Sequence, residues 1–428
     1  MSETQSPLIF LGRQPILGRE QQLIAYELLF RDGVPAANGS ADITDPTQAT
    51  ATVITNAFTE LAAHAALGPY TGYINIDSDL LFSELIEVLP PPLVTLEILE
   101  SILPTPEVIA RCHQLRDMGF VLAVDDIVRI DEAYIPLLEL TDIIKVDILK
   151  VNAEHLPSLV TRLKKFGKKL LAEKVETVKQ FSQCQSLGFD LFQGYYFAQP
   201  TIIVGKKLNP TQVSLLRLLG MIMDDADTSE IENAFKVEPG LTVNMLRLTN
   251  SVSCGLSTKI TSLRHAITIL GRRQLQRWLQ LLIYTNPQGN AQGINPLLQL
   301  AATRGRLIEL LADRVQPRNR EFSDHAFMVG IMSLMPTLLG MTMVDILAQL
   351  PVAQRVKQAL IEQPEQSGQL GQLLLIAAAT EVTDPVELEE ALHRVPAINL
   401  DFLGKCLARA FSWANNLGQE QDTTAVEQ

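Results

Sequence analysis

The alternation of hydrophobic and polar positions divides this chain into two halves with different periods. Up to about residue 200, short runs rich in Val, Ile, Leu, Phe and Tyr recur at Ile9–Gly12, Leu23–Phe30, Gly72–Asp77, Val94–Ile98, Phe120–Asp125, Ile143–Asp147, Lys169–Glu173 and Phe189–Gln193. Such runs predict strands covered on both faces. Amphipathic stretches between them, among them Pro106–Met118, Leu156–Phe166 and Thr177–Leu187, predict helices, with Gly167 and Gly188 at left-handed C-caps. Strands alternating with helices imply a parallel sheet, and eight of them fit a (β/α)8-type barrel. Only Pro15–Gln22 separates the first two runs, too little for a parallel crossover, so the barrel should begin with an irregular antiparallel strand.

After Pro200 the strand signal stops, and Thr201–Pro210 reads as a boundary. Helices are predicted at Val213–Met223, Thr228–Phe235, Leu241–Thr249, Ser262–Tyr284, Leu297–Arg314, around Ala326–Leu339, and at Val344–Leu350, Ala353–Glu362 and Gly368–Ala379. The fold class is therefore an α/β barrel followed by an all-α helical domain. The expected division is 1–205, 206–410 and a polar tail at 411–428.

The apolar runs of the first half end in Glu27, Asn75, Glu97, Asp125-Asp126, Lys145, Glu173 and Gln193. Residues at the carboxyl ends of barrel strands converge on the face where active sites form. Carboxylates gathered in one apolar mouth need cations to offset their repulsion and desolvation. A ligand set of oxygens without Cys or His points to Mg2+ or Mn2+ rather than zinc. Two such ions sharing the aspartate pair suit phosphodiester hydrolysis, with Lys145 orienting a water or offsetting charge. Taken singly, Glu100 and Asp147 read more simply as capping or surface acids.

With 35 basic and 48 acidic residues the net charge is −13, which argues against general nucleic-acid binding. The four cysteines have no metal-knuckle or disulfide spacing, no uninterrupted apolar run is long enough to span a bilayer, and Met1–Pro7 has no leader pattern. These features predict a cytoplasmic protein with no membrane association.

Arg13-Gln14-Pro15-Ile16, Glu27-Leu28-Leu29-Phe30-Arg31, Asn75 in Tyr-Ile-Asn-Ile-Asp, Leu-Glu97-Ile-Leu-Glu100-Ser, Asp125-Asp126, Ile-Ile-Lys145-Val-Asp147, Ala-Glu173-Lys-Val-Glu176 and Phe-Gln193-Gly-Tyr-Tyr occur in that order. Over residues 7–200 this resembles the EAL-domain cyclic di-GMP phosphodiesterases. The resemblance implies that Glu27, Asn75, Glu97 and Asp125 hold one ion and that Asp125, Asp126 and Glu173 serve a second. It implies that Lys145 assists the attacking water, Gln193 orders water or nucleotide, Arg31 contacts a phosphate and Gln14 meets the guanine. Two departures stand out. The signature Glu-Ala-Leu is Glu27-Leu28-Leu29, and the glycine-bearing family loop after the aspartates is Ile127-Val128-Arg129-Ile130-Asp131-Glu132. In the family that loop, partnered by the glutamate matching Glu100, orders the metal site and a homodimer contact. Losing its glycines removes backbone freedom, so binding with little turnover is expected.

In the second half, Glu238-Pro239-Gly240-Leu241, Leu246-Arg247-Leu248-Thr249-Asn250-Ser251, Gly255-Leu256 and Ser262-Leu263-Arg264-His265-Ala266-Ile267 resemble an HDOD domain, a non-catalytic relative of the HD phosphohydrolases. No histidine is followed by aspartate, so no metal is expected there. Asn250, Ser251, Arg264 and His265 are candidates for a polar network, read as capping and buried hydrogen bonding ahead of a ligand site; the Met-rich stretch Met328–Met343 is a candidate for core or an adaptable surface, and Arg162–Lys174 for a solvated helix face ahead of an approach to an anionic nucleotide. Three functions follow for comparison: a cyclic di-GMP receptor that signals through an unidentified protein partner on the helical domain, an active phosphodiesterase, and a ligand-free scaffold.

Overall fold

A computed structural model of the chain describes residues 9–32, 67–198, 210–236, 262–284 and 295–417, apart from breaks at 364–365 and 382–384, together with Leu241, Val243, Met245, Leu246, Asn250 and Ile260. The chain forms two compact units, Met1–Gln199 and Pro200–Gln428.

The first unit is a closed eight-stranded barrel in sequence order: β1 Ile9–Gly18, β2 Leu23–Asp32, β3 Thr71–Ile76, β4 Val94–Ile98, β5 Val121–Val124, β6 Ile143–Asp147, β7 Lys169–Glu173 and β8 Leu191–Gln193. The expected antiparallel start is present: β1 runs antiparallel to both β2 and β8, and every other neighbouring pair is parallel. β1 is longer than its apolar run predicts because Pro15 and Ile16 continue the ladder opposite Tyr26 and Ala25. The helices Pro106–Asp117, Leu156–Leu163 and Val178–Leu187 lie where the amphipathic pattern puts them, and Gly167 and Gly188 take φ of 69° and 92°. Thr177 and Gln180 close a capping box on the last of these helices.

Side chains alternate across a strand, and this period of two builds the barrel interior in layers. Ile16, Ala25, Tyr73, Ala123, Ile143, Leu171 and Leu191 form a small buried cluster of their own, separate from the larger core that includes strand and helix residues. Two positions beyond Ala25, Tyr73, Ala123, Ile143, Leu171 and Leu191 stand Glu27, Asn75, Asp125, Lys145, Glu173 and Gln193. An apolar plug thus carries a polar layer at the carboxyl ends of the strands.

The second unit is helical in its described residues. Its helices include Pro210–Met223, Thr228–Lys236, Leu263–Leu282, Pro296–Val315, Arg320–Met332, Gln354–Ile361 and Gly368–Ala379. Three differences from expectation have local causes. The stretch predicted as one helix at Ser262–Tyr284 breaks at Gly271, whose φ of 71° and ψ of 167° are not helical. The segment around Ala326–Leu339 is two helices, with Met335–Leu339 starting afresh on Pro336 in its first turn. Two further helices follow, Pro385–His393 and Leu400–Asn415, and the second runs past residue 410, where the helical domain was expected to end.

Met328, Met332 and Met335 are buried, so their stretch contributes core. Arg320–Leu339 is apolar enough by composition to cross a membrane, yet two-thirds (67%) of its apolar 18-residue window is buried inside the protein. The predicted helix Leu241–Thr249 and the motif residues Glu238–Gly240, Ser251 and Gly255-Leu256 lie largely outside the described residues. Among the described residues, Asn250, Arg264 and His265 form no network with one another. Asn250 clamps backbone instead, its amide bonding Leu246 O, Ile260 O and Ile260 N at 2.7–2.8 Å. Arg264 faces outward to Glu232, and the His265 N–H is capped by Ser262.

Candidate metal centre at the barrel mouth

Register brings the polar strand ends level. Gln14 is opposite Glu27, Asn75 opposite Glu97, and Asp147 opposite Glu173. Lys145, 1% exposed, projects from β6 into their midst. Its ammonium contacts Glu97 and lies 2.7 Å from Glu173, 3.3 Å from Asp125 and 3.4 Å from Glu27. Asn75 Nδ2 donates to Glu27 at 3.1 Å, while Gln193 Nε2 donates to Glu27 at 2.5 Å and to Gln14 at 2.6 Å. Glu27, Asn75, Glu97, Asp125, Lys145, Glu173, Gln193 and Gln14 therefore share one cup.

The electrostatics are uneven. Burial opposes ionisation of Glu27, but Lys145 and the amides of Gln193 and Asn75 hold its carboxyl below the ordinary range. Asp125 is pushed up to about 9 by burial and by the nearby charges of Glu173 and Glu27. Glu173 is also raised, chiefly by burial. One ammonium cannot balance this many carboxylates, so the cup keeps protons that a divalent ion would release.

The carboxylates fall into two groups whose oxygens lie within 4.8 Å of one another: Glu27, Glu97 and Glu173, and Glu100, Asp125 and Asp126. This differs from the division implied by the resemblance. Glu173 joins Glu27 and Glu97 while remaining hydrogen-bonded to Asp125, and Glu100, a capping or surface acid when taken singly but set beside the loop after the aspartates by the resemblance, approaches the aspartate pair. The donor set fits hard divalent ions. It is all oxygen, and the buried atoms Asn75 Oδ1, Glu97 Oε2 and Asp126 Oδ1 have no hydrogen-bond partner among the described residues. Among those residues both groups of possible ligands belong to the barrel.

The loop after the aspartates is held without glycine. Ile127 is buried and its N–H donates to Lys145 O at 3.0 Å. Asp131 caps the turn that follows, and the Tyr134 hydroxyl donates to Glu100 O at 2.9 Å. The left-handed residue of this turn is Asp126, at φ 53°.

Asp147, first read as a cap, is one: its Oδ1 accepts from Leu149 N at 2.8 Å and Lys150 N at 3.2 Å. Its other oxygen meets Lys174 at 2.6 Å. Lys174 therefore departs from the solvated face assigned to Arg162–Lys174. The sequence reading missed it, together with Lys150 and Tyr134, because no periodicity marks residues that reach sideways to a neighbouring strand end. Arg31 lies in β2 opposite Phe10, and its side chain is outside the described residues. Arg13 points away from the cup and stacks on Tyr26, 4.1 Å from the ring centroid.

Gly194 sets the end of β8. At φ 144° it passes so close to the segment just after β7 that a Cβ would lie 2.2 Å from Val175 O and 2.5 Å from Val175 N. Gly194→Ala is expected to lose about 2 kcal/mol through strain and collision and to shift Gln193 from Glu27. Hydrogen exchange across β7 and β8 checks this, and unaltered protection would refute the close approach.

The chain matches the family model of the EAL domain over residues 13–200 and that of the HDOD domain over residues 208–367. It is 30% identical over 416 residues to the uncharacterized protein YuxH of Bacillus subtilis, covering 96% of this chain and 98% of that one. It is 28% identical over 413 residues to the cyclic di-GMP phosphodiesterase CdgJ of Vibrio cholerae, covering 96% and 93%. Among solved structures, an EAL-domain protein from Listeria monocytogenes is 23% identical over 44% of this chain and 87% of that one, with a TM-score of 0.35. The manganese and cyclic di-GMP complex of Klebsiella pneumoniae BlrP1 is 26% identical over 45% and 56%, with a TM-score of 0.36.

Proposed function

Because this chain belongs to the family of proteins that join an EAL domain to an HDOD domain, we propose that its barrel binds cyclic di-GMP at the carboxylate mouth, with at most slow hydrolysis, and that the helical domain relays occupancy to a protein partner. One observation carries this reading: Glu27, Glu97, Asp125 and Glu173 surround the buried ammonium of Lys145. Evolutionary kinship to CdgJ, a cyclic di-GMP phosphodiesterase by name, supports the choice of ligand.

Mg2+ or Mn2+ held by Glu27, Asn75, Glu97, Asp125, Asp126 and Glu173 would supply Lewis-acid polarisation of the phosphodiester and a more acidic water. The chain's own groups do the positioning. Lys145 offers a fixed positive charge beside the attacking water. Gln193, whose amide donates to Glu27 and Gln14, keeps Oε1 available as an acceptor. Gln14 then addresses the base, and Arg31 the phosphate. Slow turnover is favoured by the altered loop Ile127–Glu132. Full phosphodiesterase activity is the second reading, favoured by the two assembled carboxylate groups.

Calorimetric titration with cyclic di-GMP in Ca2+, paired with a product assay in Mg2+ or Mn2+, separates these outcomes. Binding without product supports the receptor, product abolished by Glu27→Ala supports the enzyme, and absence of binding in either metal leaves the scaffold. Lys145→Ala should cut any turnover by about 100-fold or more while changing nucleotide affinity only a few-fold. Equal losses in both would show that its role is misassigned.

A further inference from the structure

The two carboxylate groups each meet a lysine, and the two lysines differ in freedom. Lys145 stands within strand β6, 1% exposed, with its ammonium among four carboxylates. Lys150 follows on the turn after β6, ion-paired through its ammonium to Asp126 Oδ2. Half of its side chain (50%) is exposed, against 13% for Asp126. The turn itself is pinned, because Asp147 Oδ1 accepts from the backbone N–H groups of Leu149 and Lys150. The backbone of Lys150 is therefore held beside the end of β5, while its four-carbon stem is free to swing into solvent.

Asp126 is held in turn. Its left-handed backbone, at φ 53°, is a conformation that aspartate adopts more readily than most residues. Its Oδ1 is buried without a hydrogen-bond partner among the described residues. Glu100, Asp125 and Asp126 thus bring oxygens within 4.8 Å of one another, and two of the three carboxylates already face an ammonium from the same chain, Asp125 that of Lys145 and Asp126 that of Lys150.

We propose that Lys150 is a built-in competitor for a divalent ion at the Glu100–Asp125–Asp126 group. Its ammonium neutralises Asp126 when that position lacks an ion and must move to solvent to admit one. The inference rests on reading the two groups as metal sites. It makes Lys150 a determinant of ion affinity at the Glu100–Asp125–Asp126 group, which fills only when the ion outcompetes a tethered ammonium.

Titration of the full-length protein with Mn2+, with free ion counted by electron paramagnetic resonance, tests this directly. Wild type is expected to bind two ions, one of which is lost in Asp126→Asn. Lys150→Met should tighten that Asp126-dependent ion by about tenfold, since it removes both the ion pair and a like charge, and should leave the other ion unchanged. Lys150→Arg should keep the wild-type affinities, and Asp126→Asn should abolish the dependent ion with or without Lys150. If Lys150→Met leaves the Asp126-dependent ion unchanged or weakens it, or if both ions survive Asp126→Asn, the competitor role is overturned while the metal reading stands. If neither wild type nor Lys150→Met binds Mn2+, the metal reading falls and the competitor role with it.

Discussion

Lys145→Met is expected to destabilise the metal-free barrel by about 3–5 kcal/mol, the usual cost of stripping a buried charge of its partner. The ammonium lies within 3.4 Å of Glu27, 3.3 Å of Asp125 and 2.7 Å of Glu173, and it also contacts Glu97. Methionine fills a similar volume, so packing changes little and the effect isolates the charge. The loss should depend on pH with a definite sign. Asp125, raised to about 9 by burial and its acidic neighbours, is bound to a proton in the folded barrel over a range where the unfolded chain has released it. Its contribution is complete below the ordinary aspartate pKa and disappears as pH rises through about 9. Without Lys145 this fall should steepen, and Mn2+ should restore most of the lost stability. Hydrogen exchange of the barrel strands, in chelator and in Mn2+, provides the measurement, because both tryptophans, Trp278 and Trp413, lie in the helical unit and do not report on the barrel. Equal protection of wild type and variant in chelator at neutral pH would sink the claim that Lys145 is the counter-charge of this cup.

Gly330→Val should unfold much of the helical unit, with a loss of about 3 kcal/mol or more from overpacking. Glycine in a helix interior costs about 1 kcal/mol relative to alanine, so a pair of them facing each other needs a packing reason. Gly330 in Arg320–Met332 approaches Gly305 in Pro296–Val315 so closely that a Cβ would lie 2.5 Å from the Gly305 Cα and 2.7 Å from its N. Backbone has no rotamer to yield, and the helices would have to separate. Separation would break the 2.6 Å bond from the Tyr284 hydroxyl to Ile331 O and loosen Phe327 from Trp413, whose rings are 5.9 Å apart. Tryptophan fluorescence during thermal denaturation reads the result. Even Gly330→Ala should destabilise, and a gain in stability from its better helix propensity would refute the close crossing.

The legible and illegible parts of the site follow the same division. Glu27, Asn75, Glu97, Asp125, Lys145, Glu173 and Gln193 could be found from sequence because each ends an apolar run, and the period of a strand carries that position to the barrel interior. Lys150, Lys174 and Tyr134 could not, since their partners Asp126, Asp147 and Glu100 lie 24, 27 and 34 residues away on other strand ends. The resemblance set Glu100 beside the loop after the aspartates, while its closeness to the aspartate carboxylates themselves came from the fold. The helices at Pro385–His393 and Leu400–Asn415 were legible in principle, through Pro385 in a first turn and Asn399 as a cap.

By itself, the order of residues determined the two-unit architecture, the barrel with its antiparallel opening, and the ring of polar strand ends, because local periodicity and connection length constrain those features directly. Tertiary structure alone decided which carboxylates approach one another, which lysine pairs with each group, and where two helices touch backbone to backbone. Those depend on distances between segments remote in the chain, and side-chain reach across strand ends leaves no periodic trace in the sequence.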